Sequence, residues 1–240
     1  DNRTALVTLL QCHAEKEDYR ALAELCDEAV AYYPDTYDFY YWGGMAHYQL
    51  DDKSAALIRF TQAVRQISED TDPKAAARLY ATQGDLLHDA GRIDEAFAAY
   101  DSCLVHDPDN ILCLNNYAYY LSLLNRDLPR AEEMSYRTLR IEPNNRTYID
   151  TYAWILFMQR KYGEAREQID KVMRGVSTPA QMDSLSLSAE VAAHAGDIYA
   201  CQGDITQAVA YWQMALDMKP QGTGAVLLRK KIKKKKYLKK

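Results

Sequence analysis

Three side chains stand at a spacing that could gather around a metal ion or move a proton. Asp85, His88 and Asp89 lie at i, i+3 and i+4 and share one face if residues 73–89 form a helix. Two carboxylates and an imidazole could hold a divalent cation loosely, but a solvated polar face is the leading reading of the three. Asp197 occupies the place of Asp85 in a later segment and has no histidine beside it, which weakens the metal reading. His13 and His47 share one place on the packing side of a helix and read as core imidazoles. The five cysteines (Cys12, Cys26, Cys103, Cys113, Cys201) are odd in number and scattered. None forms a CxxC or a Cys/His pair at zinc spacing. Each falls in an apolar helical pattern as a small buried hydrophobe, so no disulfide is expected. No phosphate-cradling loop, nucleophile elbow or HExxH motif occurs. The sequence therefore predicts no catalysis, metal or cofactor, with a weak metal-dependent enzyme as the minor alternative.

The elements that position these residues recur. Gly84, Ala96, Tyr100, Cys103 and Pro108 are separated by the same intervals as Gly196, Ala208, Trp212, Ala215 and Pro220. Gly44, Ala56, Phe60 and Ala63 repeat the first three intervals, and Ala153, Ala165, Ile169 and Val172 do so again. Ala118, Ala131, Ser135, Thr138 and Pro143 match with one extra residue near 125–128, and Leu10, Leu22, Cys26, Ala29 and Pro34 give a weaker first copy. A period of about 34 residues is the signature of stacked helix pairs. Small residues let the two helices of a pair approach, and the aromatic fills the gap between neighbouring pairs. Turns such as Ala90-Gly91-Arg92 and Gln202-Gly203-Asp204 join the helices, with glycine supplying a left-handed cap.

This pattern resembles the tetratricopeptide repeat over about residues 3–222. The resemblance implies an all-α, right-handed α-solenoid of about six helix-turn-helix repeats, at 3–36, 37–70, 77–110, 111–145, 146–175 and 189–222, about thirteen helices in all. Asp72-Pro73 starts a lengthened helix over 73–89, and Thr178-Pro179 marks a helix start within the non-repeat stretch 176–188. Residues 1–224 then form the solenoid and 225–240 a basic capping helix and tail, with Leu227, Leu228 and Ile232 inward and the lysines facing water. The segments Asn115-Asn116-Tyr117-Ala118-Tyr119-Tyr120 and Ile149-Asp150-Thr151-Tyr152-Ala153-Trp154, with the ending Lys231 to Tyr237, are similar to the C-terminal part of Bacteroides-type repeat proteins, many of them lipoproteins. That similarity implies that repeats and an anchor precede Asp1 in the full-length protein.

In such a stack the first helices line the concave side. Their exposed stripe reads Tyr41, Met45, Tyr48, then Ala81, Asp85, His88, then Asn115, Tyr119, Ser122, then Asp150, Trp154, Phe157, then Ala193, Asp197, Ala200. Aromatic rings with a hydrogen-bonding tip, set beside amides and carboxylates, suit a peptide-binding surface; sideways packing between first helices would explain the same rings. The candidate groove residues are Tyr41, Tyr48, Asp85, Asn115, Asn116, Tyr119, Asp150 and Trp154. Asn116 stands where many tetratricopeptide proteins hold a ligand backbone, but its equivalents Thr8, Trp42, Thr82, Thr151 and His194 form no asparagine ladder. No stripe residue is basic, against a clamp for a terminal carboxylate.

The charge is uneven. Of 29 Lys and Arg, nine lie in residues 225–240 without an acid, so the rest of the chain sets 20 basic groups against 34 acidic ones. An acidic body argues against a nucleic-acid groove. Association of the lysine-rich end with nucleic acid or an anionic membrane is the alternative to the leading expectation, a protein- or peptide-binding scaffold. The longest apolar run, Tyr152 to Met158, is far short of a membrane span. The expected location is the bacterial cell envelope, periplasmic and lipid-anchored in the full-length protein, with the cytoplasm as alternative; free buried thiols suit either compartment.

Overall fold

The computed structural model describes residues 2–220 and 222–238. Among them are fourteen helices and no strand. They run α1 (Asn2–Glu15), α2 (Tyr19–Tyr32), α3 (Tyr37–Gln49), α4 (Lys53–Val64), α5 (Pro73–Asp89), α6 (Ile93–His106), α7 (Ile111–Leu123), α8 (Leu128–Ile141), α9 (Arg146–Met158), α10 (Tyr162–Met173), α11 (Pro179–Ser184), α12 (Ala189–Cys201), α13 (Ile205–Asp217) and α14 (Thr223–Lys234). The helix beyond the thirteen expected is the short α11, started by a capping box in which Thr178 and Gln181 satisfy each other's main-chain N–H groups. The chain divides into two compact units, Asp1–Cys113 and Leu114–Lys240, with the boundary inside α7.

The interval that recurs along the sequence is a packing interval. Ala56, Phe60 and Ala63 on α4, Ala96, Tyr100 and Cys103 on α6, and Ala131, Ser135 and Thr138 on α8 are all at 0% exposure. So are Ala165, Ile169 and Val172 on α10, and Ala208, Trp212 and Ala215 on α13. Positions at i, i+4 and i+7 form one stripe, and that stripe is turned onto the first helix of the same pair. A Cβ on Gly44 would come within 2.6 Å of Phe60, one on Gly84 within 2.6 Å of Tyr100, and one on Gly196 within 2.3 Å of Trp212. The ring therefore seats first on the glycine of its own pair, not only in the gap between pairs. Phe60 also joins Leu79 and Leu86 of α5 in one cluster, so it serves both contacts.

The turn within each pair passes through one residue of left-handed φ: Glu17 (55°), Asp51 (60°), Gly91 (74°), Arg160 (64°) and Gly203 (84°). Glycine was the expected occupant, yet it holds two of these five places, and the others adopt the same bend at a cost of about 1 kcal/mol. The following Asp18, Asp52 and Asp204 accept the main-chain N–H of Ala21, Ala55 and Gln207 and start the second helices. The longer turn before α8 holds two left-handed residues, Asn125 (53°) and Asp127 (39°), which accommodates its extra residue.

Two further expectations need correction. Cys26, Cys103 and Cys113 are buried and Cys201 half-buried, but Cys12 is exposed; all five are free thiols. Burial pushes the Cys26 thiol up to about 12, consistent with an inert core residue. At the other end, α14 stops at Lys234, and its lysines do not all face water: Lys231 is 4% exposed. Arg229, Lys230 and Lys233 to Lys236 are exposed. Lys239 and Lys240, part of the predicted basic tail, lie outside the described residues. Among the described residues no helix is long and apolar enough to cross a membrane.

Candidate functional site

The first helices of the unit Leu114–Lys240 converge on a small polar and aromatic cluster. α9 contributes Asp150, Trp154 and Phe157, and α12 contributes His194 and Asp197. His194 Nδ1 lies 3.0 and 3.2 Å from the two Asp150 oxygens, with both side chains buried. An ionised carboxylate can only accept, so Nδ1 carries the proton. Burial alone would pull the imidazole down, but the adjacent Asp150 charge and hydrogen bond outweigh it and the His194 pKa is raised. The imidazole stacks on Trp154 at 4.0 Å, and Trp154 stacks on Phe157 at 4.9 Å. Tyr119 of α7 tilts onto His194 at 6.1 Å. Its phenol is raised by burial and then by the Glu190 carboxylate.

One helical turn on, Lys231 Nζ of α14 reaches across to Asp197 at 2.6 and 2.7 Å. Trp212 Nε1 donates to the same carboxylate at 2.9 Å. Burial raises the Asp197 pKa against the pull of Lys231 and Trp212. Tyr237 closes edge-on against Phe157 at 5.3 Å and lies under Lys231 at 5.4 Å. Between α9, α12 and α14 these groups enclose a cavity of about 240 Å³, whose wall includes Leu123, Trp154, Met158, Leu227 and Tyr237.

In the unit Asp1–Cys113 the corresponding rings lie more openly. Tyr37 and Tyr41 stack at 5.7 Å, Trp42 meets Tyr41 edge-on at 5.5 Å, and Tyr48 is 43% exposed. A hollow of about 320 Å³ between α1, α2 and α3 is lined by Tyr19, Leu22, Trp42 and Met45.

The eight residues singled out from the sequence thus fall into three groups. Tyr48 is exposed; Tyr41, Asp85, Asn116 and Tyr119 are half-buried; Asn115, Asp150 and Trp154 are buried. Asp85 accepts the Tyr100 hydroxyl at 2.6 Å and is tied to its own second helix. Asn115 Nδ2 donates to Asn116 Oδ1 at 3.2 Å. Asp150 and Trp154 pack between α9 and α12 and do not lie open on a stripe, because His194 fills the space between those helices. The Asp85, His88 and Asp89 trio does not converge either: Asp89 pairs with Lys53 at 2.6 Å while Asp85 turns to Tyr100. Among the described residues no three His, Cys, Asp or Glu side chains gather as a metal site.

Sequence reasoning missed Lys231 and gave His194 no role beyond its place in the repeat. The signal for Lys231 was present: it lies three residues after Leu228 and six after Ala225, on the apolar face of α14.

Known proteins supply the frame for this architecture. Residues 13–71 and again 77–110 match tetratricopeptide-repeat families. A tetratricopeptide repeat protein from Parabacteroides merdae is similar in structure with a TM-score of 0.72 at 16% identity, over 96% of this chain and 85% of that one. YrrB, a tetratricopeptide protein with an unusual peptide-binding site, gives 0.60 at 18% identity, over 87% and 99%. PilW, a widely conserved type IV pilus biogenesis factor, gives 0.66 at 17% identity, over 94% and 97%. At these identities the likeness is one of fold. The chain carries tetratricopeptide repeats in sequence over residues 13–71 and 77–110, and its helix pairs share the fold of these repeat proteins.

Proposed function

We propose that the chain is a non-catalytic scaffold that holds a protein or peptide against the faces of its first helices. The observation that carries this reading is a hollow beside those faces in each unit, walled in one by Trp42 of α3 with Tyr19 of α2 and in the other by Trp154 of α9 with Tyr237 beyond α14. Concave, mostly apolar sites with a few polar groups are where proteins receive ligands, and amphipathic rings dominate binding energy at interfaces. Support of a coarser kind comes from the fold, which is shared with YrrB and its peptide-binding site. We further place the protein in the bacterial cell envelope, a reading supported by the fold shared with a type IV pilus biogenesis factor. Fractionation of cells carrying the full-length protein checks that placement, and recovery in the cytosol alone rejects it.

Photo-crosslinking tests the scaffold reading. A benzoylphenylalanine replacing Tyr48 on the first-helix face of α3 is expected to capture a discrete partner in cells. The same residue replacing Ile58 on α4 or Val105 on α6, both exposed on second helices, is expected to capture none. Equal capture from all three positions, or capture from the second helices only, rejects it.

A further inference from the structure

Trp154 is 8% exposed, yet its Nε1–H has no acceptor among the described residues. The ring is held by stacking on His194 and Phe157, so it does not turn its N–H toward water. Buried donors are almost always satisfied, and an exception calls for an explanation. The cavity that Trp154 lines offers one. Four of its charged groups are matched in pairs, Lys231 with Asp197 and His194 with Asp150, and the Glu190 carboxylate lies beside Tyr119. An anionic ligand would meet Asp197 and Glu190 in the wall, and a cationic one would meet Lys231. The Trp154 N–H is an unmatched neutral donor in a largely apolar chamber, and its chemical complement is a neutral carbonyl carried beside an apolar group. An apolar cavity of about 150 Å³ accepts a benzene ring, so about 240 Å³ accommodates one large side chain with part of its backbone.

Building on the scaffold reading, we propose that this cavity seats a single phenylalanine- or leucine-sized side chain of a partner peptide, whose main-chain carbonyl accepts the Trp154 Nε1–H. The C-terminal helix α14 is then part of the binding site, through Leu227, Leu228 and Tyr237, and does more than cap the last repeat.

The indole N–H resonances of Trp42, Trp154 and Trp212 report on the proposal directly, with Trp154 assigned by its loss in Trp154→Phe. The probes are N-acetyl-L-phenylalaninamide, N-acetyl-L-leucinamide and N-acetylglycinamide. The phenylalanine and leucine amides are expected to shift the Trp154 resonance in a saturable way in the millimolar range, and the glycine amide to leave it in place. Ala193→Phe, which fills the cavity from α12, is expected to weaken the response at least tenfold. Leu227→Trp, which fills it from α14, replaces that variant if its helical circular dichroism is lost. A Trp154 resonance that stays still, that moves equally with the glycine amide, or that responds undiminished in a folded filled variant overturns the proposal. Crosslinking from Tyr48 does not pass through this cavity. Capture there with a silent Trp154 rejects the cavity site alone, whereas failure of both rejects the scaffold reading as well.

Discussion

On α3, the rings of Tyr37, Tyr41 and Trp42 pack on one another, with Tyr48 open to solvent at the end of the helix. On α9 and α12, the rings of Trp154, Phe157 and His194 are met by α14 and Tyr237 and stitched by two buried ion pairs. The charged contact of α3 and α4 is instead a partly exposed one, Arg59 with His47 around Asp27. The same helix pair thus presents an aromatic face in one unit and encloses it in the other. The difference shows that the repeat dictates how a pair closes on itself, while the first-helix face is free to be covered or left open. Burying charge is expensive unless it is paired and hydrogen-bonded, and in the covered unit each buried carboxylate, Asp150 and Asp197, has its cation. Such pairs add little net stability over an apolar alternative, but they fix which surfaces meet.

The sharpest way to break this contrast is to remove one cation. Lys231→Ala leaves Asp197 buried without its counter-charge, and a loss of about 3–5 kcal/mol is expected. Hydrogen exchange of α12 and α14 measures it, and adding Asp197→Asn to Lys231→Met should recover most of the loss while keeping the Trp212 contact. Unchanged protection in Lys231→Ala would mean that α14 is not held by this pair.

Truncating the enclosed ring comes next. Trp154→Ala is expected to cost about 3 kcal/mol through cavity formation, visible as a lowered thermal midpoint. For that reason a binding defect in this variant would not by itself identify a contact with a partner, and the cavity-filling variants are the better probes.

The His194–Asp150 pair gives the covered unit a pH dependence. The His194 pKa is raised in the folded chain, so its stabilisation is complete below the ordinary value of 6.5 and is lost as pH rises through the folded value. Asp150, Glu190 and Asp197 are the charges that face it. Denaturant titrations from pH 6.5 upward are expected to show stability declining by at most about 1.4 kcal/mol per pH unit from this one proton. His194→Gln should flatten the slope. The raised Asp197 carboxyl gives the same sign above its ordinary 3.8.

The smallest effect is expected in the open unit, where Tyr48→Ala should change stability by no more than about 0.5 kcal/mol. A thermal melt that fell as far as that of Trp154→Ala would erase the distinction between the two faces.

The parts of this molecule that could be read from its residues are those under the tightest steric rule. Gly44 with Phe60, Gly84 with Tyr100 and Gly196 with Trp212 stand at fixed intervals because a methyl group would not fit between helix and ring, and where the ring is replaced by Ser135 or Ile169 the glycine gives way to Ala118 or Ala153. Threonine at 138 stands where other copies carry alanine or cysteine, its hydroxyl donating to the Ser135 carbonyl at 2.7 Å. The site was harder to read because no repeat rule governs it. Phe157 and Tyr48 occupy the same stripe position, and the Trp154 and Tyr237 rings against one of them separate a buried ring from an exposed one. Lys231 looks like its five lysine neighbours; its distinction depends on a carboxylate 34 residues earlier. In the turns, glycine was legible at 91 and 203, whereas Glu17, Asp51 and Arg160 adopt the same bend without any residue-type signal.

The stack of His194 on Trp154 also gives the protein an optical property. At 4.0 Å and 17° between planes, a protonated imidazole is an efficient electron acceptor for an excited indole, and a neutral one is a poor acceptor. Trp212 lies against Lys231 and Asp197, and Trp42 belongs to the other unit, so neither shares this switch. Emission from Trp154 should therefore be dim in acid and brighten as the ring loses its proton, making the unmodified chain a fluorescent reporter of one of its own buried charges.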